Sequence, residues 1–178
     1  RRGIDPFFRG APHLVLAELL ALARSAVAAD FALILARTDP YTAEVLASDP
    51  PDVIPAGAGR PELIEAALAD GEPFFGPVTS RRIPAYLRGC HAGLPLGAEL
   101  AAVIGRRNGA PWDEQEHAFL GDLRGALAPT AQWAVALRQR AEHKKLLDAV
   151  VDTLDGGVLV VDNAGGSWIN GPGARLLG

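Results

Sequence analysis

Three observations predict an α/β fold with a long C-terminal helix. Two continuous apolar runs of strand length, residues 31–36 (FALILA) and 100–105 (LAAVIG), lie among segments whose apolar residues recur at helical spacing. A helix-start signal at Asp113 opens a helical pattern that persists to Ala141. Clusters of Gly and Pro separate the segments.

The first element is an amphipathic helix over 13–29, with Leu16, Leu20, Ala23 and Val27 on one face and Glu18 and Ser25 on another; Asp30 ends it. Strands are predicted at 31–36 and 42–47, joined by a Thr38-Asp39-Pro40 turn, and 48–60 reads as a Pro- and Gly-rich loop. Pro61 and Glu62 open a short helix to residue 69, where Pro suits the first turn and Glu suits the positive end of the helix dipole. Phe74 and Phe75 lead into a break at Pro77, and 83–87 forms a helical turn. Strands at 94–96 and 100–105 are joined by Gly97, Ala98 and Glu99, and Arg106 to Gly109 form a solvated turn.

The closing helix starts with a capping box, Asp113 and Glu116, and carries Leu120, Leu123 and Leu127. Pro129 should kink or split it. Ala134, Leu137 and Ala141 continue the pattern in alternating steps of three and four, the spacing of a helix packed along a partner, with Lys144 and Asp148 weakening the seam. An exposed stripe at Leu123, Leu127, Ala134 and Leu137 predicts a homodimer. Beyond it, Val158 to Val161 and Ser167 to Ile169 are strands around a turn at 162–166, and Asn170 caps a last helix with Pro172 in its first turn and Ala174, Leu176 and Leu177 on its buried side.

Composition limits the function. A chain that is 49% hydrophobic and 21% charged suits one domain plus an appendage, with no need of disulfide or metal, and its one cysteine excludes an internal disulfide. No apolar run reaches the ~18 residues of a membrane span, so a cytoplasmic location is expected. A net charge of −4 with no dense Lys/Arg block gives no footprint for nucleic acid; DNA contact would need an output domain outside this sequence. The absence of methionine leaves the natural start missing, as in an internal piece of a longer protein or a chain whose methionines have been lost.

Three stretches, ALADGEPFFGP at 67–77, LPLGAELAAVIGR at 94–106 and the capped helix at 112–127, resemble GAF-domain patterns in their order. The segment GVLVVDNAGGSWINGPGARLLG at 157–178 resembles the start of a PAS domain. The resemblance implies a GAF-like central antiparallel sheet flanked by helices over 10–128, a signalling helix over 129–154, and a partial PAS β-hairpin with its helix over 155–178. It also implies a sensory input region of a bacterial signalling or transcription regulator, with catalysis, if any, in a downstream domain. The stretch LRGALAPTAQWAVAL at 123–137 resembles the helix before a PAS segment in LuxR-type regulators. A ligand-free dimerisation module and the input part of a sensor histidine kinase or cyclic-di-nucleotide enzyme are the alternatives.

No paired carboxylates, nucleophile with a base, phosphate-cradling loop or metal-ligand spacing is evident; His13, His91, His117 and His143 are scattered. Cys90-His91 is the one pair with chemistry, since an imidazole can activate a thiol. Phytochrome-type GAF domains attach bilin through such a pair, but their flanking pattern is not recognisable here, so no cofactor is expected and Cys90 reads as a small buried hydrophobe. The cyclic-nucleotide GAF motif Asn-Lys-x-x-Phe-x-x-x-Asp-Glu is absent. Arg81, Arg82 and Arg88 suit an anion as well as a solvated surface. The input is a small molecule or a partner; a ligand, where the domain holds one, is expected between the sheet and the 74–91 segment, lined by Phe74, Arg81, Tyr86, Cys90 and His91.

Overall fold

The structure, a computed structural model, describes residues 6–54, 61–78, 80–154, 156–161 and 167–177. The chain divides into two compact units, Arg1–Ala134 and Val135–Gly178. The predicted turn at 162–166 and the Pro55 to Arg60 part of the predicted loop lie outside the described residues.

In the first unit, helix α1 (Pro6–Ala26) precedes strands β1 (Phe31–Asp39) and β2 (Thr42–Asp49), helix α2 (Pro61–Leu68), strands β3 (Phe74–Val78), β4 (Gly89–Gly97) and β5 (Leu100–Arg106), and helix α3 (Glu114–Asp152), which ends in the second unit. The five strands form one antiparallel sheet in the order β2-β1-β5-β4-β3, as expected of the predicted sheet.

Alternation along the strands divides the core. Phe31, Leu33 and Leu35 of β1 and Ala101 and Val103 of β5 pack with Leu63, Ile64 and Ala67 of α2, and Val53, Ile54, Ile83 and Leu87 close the same cluster. The intervening residues Ala32, Ile34, Ala92, Leu94, Ala102 and Ile104 are buried on the other face. That face is tied to α3: Arg124 Nε donates to Pro95 O at 2.7 Å and Gln132 Nε2 to Leu96 O at 2.9 Å.

Several boundaries differ from the sequence expectation, each for a physical reason. Pro77 does not break the chain: β3 is an edge strand bonded to β4 alone, so a missing N–H is tolerated there. Strand β4 starts at Gly89 rather than 94, because β3 gives it a second partner. Arg106 is the last residue of β5 and is 8% exposed, not part of a solvated turn. Helix α3 passes through Pro129 as one element; the carbonyl that loses its donor there belongs to Gly125, which is exposed and open to water.

The capping box forms as predicted. Glu116 N–H donates to Asp113 Oδ1 at 2.8 Å, and Asp113 N–H donates to Glu116 Oε2 at 3.0 Å. The end of α1 is different. Its last helical bond runs from Val27 N–H to Ala23 O at 3.2 Å, and Ala28 then takes a left-handed φ of 47° while Ala29 N–H reaches back to Arg24 O at 2.9 Å, a Schellman-type cap. An alanine in that conformation carries strain that glycine would not. We expect Ala28→Gly to raise stability, by about 0.5–1 kcal/mol, in chemical denaturation; an unchanged or lowered midpoint would contradict the cap geometry.

Candidate functional site

The predicted lining does not converge. Cys90 and His91 are consecutive in β4, so their side chains leave opposite faces of the sheet. Cys90 pairs with Arg106 and belongs to the α3 face, whereas His91 pairs with Gly105 and meets Phe31 edge-on at 5.4 Å between ring centres. A thiol and an imidazole on opposite faces cannot act as a couple, which corrects the one candidate for covalent chemistry. Phe74 packs against the α2 cluster with partial exposure, while Arg81 and Tyr86 are exposed on the connection between β3 and β4.

The face expected to hold a ligand is closely packed by the chain itself. A Cβ placed on Gly93 would lie 2.9 Å from both Cα and Cβ of Ala67, so α2 rests directly on the β4 backbone. The Phe31 ring covers Gly105 in the same way, 2.2 Å from where a Cβ would stand. Small residues at the sheet centre thus let α2 and Phe31 settle where a ligand would otherwise sit. His91 closes this layer, 2% exposed, with Nε2 2.6 Å from Leu87 O, so Nε2 carries the proton and donates. Burial holds its imidazole below the ordinary value of 6.5, and the bond to Leu87 O pulls weakly the other way.

This gives a pH signature with a definite sign. Above about pH 6.5 His91 is neutral in both folded and unfolded chains and adds no pH dependence. As pH falls below that value the unfolded chain takes up a proton that the folded chain resists, so stability drops until the lowered folded value is reached. We expect the melting temperature of the wild type to fall more steeply between pH 7 and 5 than that of His91→Gln; parallel curves would show that His91 is not held neutral by burial.

The opposite face carries a group whose arginine the sequence pattern assigns to a solvated turn. The Arg106 guanidinium donates from Nε and Nη2 to Val27 O at 3.2 and 2.5 Å and from Nη1 to Pro111 O at 2.9 Å. It pairs with Glu116 and lies over the Trp112 ring, 4.2 Å from its centre. One side chain thereby joins the end of α1, the end of β5 and the first turn of α3. Glu116 serves both this pair and the capping box. The sequence signal was present in the cluster of Arg106, Trp112 and Glu116, but the adjoining Asn108-Gly109 suggested only a turn.

Cys90 lies beside this clamp. Burial pushes its thiol up, outweighing the Arg106 charge and the N–H groups of Trp112, so it stays protonated at neutral pH. Trp112 Nε1 is buried without a hydrogen bond; the Cys90 sulfur feels its N–H, a contact that falls short of one. An open groove of ≈ 280 Å³ lies elsewhere, between Leu68, Gly71, Pro95, Gly97, Ala98 and Arg124, and Arg124 is engaged with the carbonyls of Pro95 and Gly71. No group of three or more potential metal ligands occurs among the described residues, and no described helix is long and apolar enough to cross a membrane.

The predicted dimer stripe is also redistributed. Leu123, Leu127 and Ala134 are buried within the single chain and Leu137 is half-buried, so these residues form no exposed seam. Residues 129–134, expected in a linker, belong to the first unit, with Ala131 and Ala134 in its core. The outward apolar residue of that part of α3 is Trp133, and Leu14, Val15 and Leu22 are exposed on α1.

In the second unit the C-terminal part of α3 is followed by strands β6 (Leu159–Val161) and β7 (Ser167–Ile169), an antiparallel pair, and helix α4 (Gly171–Leu177). Asn170 caps α4 as predicted, its Oδ1 accepting Gly173 N–H at 2.9 Å. The same oxygen accepts Val158 N–H at 2.8 Å, and Nδ2 donates to Val151 O at 2.9 Å and Gly156 O at 3.0 Å. Fully buried, Asn170 ties the end of α3, the hairpin and α4 together. Asn170→Ala leaves buried backbone groups unpaired, at about 1–3 kcal/mol each. We expect amides of β6 and β7 to exchange at least about tenfold faster in the variant while β1 and β5 keep their protection; unchanged exchange in the hairpin would remove Asn170 from this role.

The fold of the first unit is that of GAF domains. The chain matches the GAF-B domain of DevS from Mycobacterium smegmatis at 21% identity and a TM-score of 0.51, over 72% of this chain and 98% of that one. It matches the GAF domain of an Acinetobacter phosphoenolpyruvate-protein phosphotransferase at 19% identity and 0.55, over 70% and 84%. A red/green cyanobacteriochrome in its green-light-absorbing state matches at 17% and 0.54, over 72% and 98%. No protein-family model and no curated protein matches the chain.

Proposed function

We propose that this chain is a non-enzymatic sensory input region of a bacterial signalling protein, in which a GAF-fold domain passes its state to α3. The observation that carries this reading is the Arg106 clamp: the first turn of the long helix is held by the same guanidinium that holds the end of the central strand and of α1. A shift at that end of the sheet therefore acts directly on α3. The resemblance of the second unit to the start of a PAS domain extends the reading to a GAF–PAS arrangement. Its exposed Leu159, Val160, Val161 and Trp168 then await the remaining strands of that sheet.

The Gly93–Ala67 contact favours a second reading, a ligand-free dimerisation module, because the face where a small molecule would enter is already occupied by α2. In the first reading the signal must displace α2 or act from outside the core. Both readings include a homodimer in which a second copy covers Trp133 of α3 with Leu14, Val15 and Leu22 of α1. Native mass spectrometry tests all three points together. Twice the 18.6 kDa chain mass is expected, with Trp133→Glu reverting to the monomer. A co-purifying mass increment of small-molecule size supports the sensor reading, a clean dimer supports the module, and a wild-type monomer at high micromolar concentration excludes the dimer.

A further inference from the structure

We propose that the arginine-rich end of the sheet, formed by Arg81, Arg82 and Arg88 of the β3–β4 connection and Arg107 after β5, is a docking surface for a carboxylate-rich segment of a protein partner. The charge pattern is the first reason. The chain is net acidic at −4, yet between Glu72 and Asp113 it holds five arginines, Arg81, Arg82, Arg88, Arg106 and Arg107, and one acid, Glu99. The fold sharpens this segregation. Glu99 lies in the β4–β5 turn at the opposite end of the strands and pairs with Arg37, whereas β4 begins beside the point where β5 ends, so the arginines gather at one end.

The surface is also organised in advance. Arg88 donates from Nε to Ile83 O at 2.8 Å and from Nη2 to Arg81 O at 3.3 Å, and Arg107 donates from Nε to Tyr86 O at 2.8 Å. These bonds fix the connection to the end of β5 and bring Arg81, Arg88 and Arg107 into one surface. Arg81, Arg82, Arg88 and Arg107 are exposed, and among the described residues no carboxylate pairs with any of the four. Acids near this end are already engaged: Asp30 accepts the Arg107 N–H at 2.7 Å, Glu116 pairs with the buried Arg106, and Asp113 accepts the Glu116 N–H at 2.8 Å. Tyr86, 40% exposed, stands among the arginines.

Guanidinium groups hold carboxylates through paired donors, and Arg and Tyr are enriched among the few residues that carry most of the binding energy at protein interfaces. The groups are spread over two chain segments on an exposed surface, which suits an extended segment better than a small anion. An acidic chain with a pI near 5.5 repels a long polyanion such as nucleic acid, so a short acidic segment is the better match.

The test is fluorescence anisotropy of a labelled hexaglutamate peptide with the full chain at low salt. Hexaglutamate should bind while hexaglutamine does not, and Arg81→Glu with Arg82→Glu should weaken binding by about tenfold. Arg140→Glu with Arg175→Glu, the same charge change in the second unit, should leave it unaltered. Equal binding of the two peptides, or equal loss in the two double variants, would overturn the proposal. So would a DNA duplex or tripolyphosphate of matched charge that displaces the peptide at lower concentration, since the surface would then read phosphate. Should the charge-reversed protein lose its circular dichroism signal, Arg81→Gln with Arg82→Gln decides: a several-fold loss supports the surface and an unchanged affinity rejects it.

Discussion

The placement of α1 and α3 on the sheet depends on a buried arginine. A guanidinium withdrawn from water is tolerated only when its donors and its charge are met together. Arg106 meets both needs by drawing on three groups at once: the Val27 carbonyl just beyond α1, the Pro111 carbonyl before α3, and the Glu116 carboxylate in the first turn of α3, with the Trp112 face above it. No single element could satisfy it, so the ion fixes their mutual position more sharply than apolar contact would. Its dependence on Glu116 also makes the helix start and the domain core inseparable, because the same carboxylate closes the capping box.

The two faces of the sheet are built on different physical terms. On the α2 face the centre is made of small residues, so helix and ring lie directly on the backbone at Gly93 and Gly105 and the layer is apolar apart from His91. On the α3 face polar side chains reach from helix to strand carbonyls, as Arg124 and Gln132 do at Pro95 and Leu96. Apolar layers can part and reform without leaving a directed bond unmade, whereas the α3 face would lose several. In the proposed reading, this asymmetry makes α2 the yielding wall and α3 the element that moves only with the sheet.

Local patterns were legible in the sequence and pairing was not. The capping box at Asp113 and Glu116, the Asn170 cap and the apolar runs of β1 and β5 depend on neighbours a few residues away, and they stand where the patterns put them. Strand β3 and the first half of β4 were missed because their strand character comes from each other: Pro77 looks like a break until the residue is known to lie at a sheet edge. The candidate lining failed for a related reason. Cys90 and His91 are adjacent in sequence, which suggests cooperation in a loop and forbids it in a strand. Leu123, Leu127 and Ala134 were correctly seen as one apolar face, but an apolar stripe is silent on whether its own domain or a second chain covers it.

The two units also differ in what holds them. The first buries a large apolar core on both faces of a five-stranded sheet, whereas the second has a two-stranded hairpin in which Leu159, Val160 and Val161 are all exposed, so neither face of β6 is covered. A two-stranded hairpin in water is marginal on burial alone. Its order here comes instead from one fully buried amide, Asn170, whose four side-chain bonds satisfy backbone groups of three segments. A polar hub of this kind is directional but small, and it holds the hairpin without supplying an apolar core. Apolar surface laid against β6 and β7 would therefore order the second unit further. Because Asn170 Nδ2 donates to Val151 O, that ordering also bears on the last turn of α3.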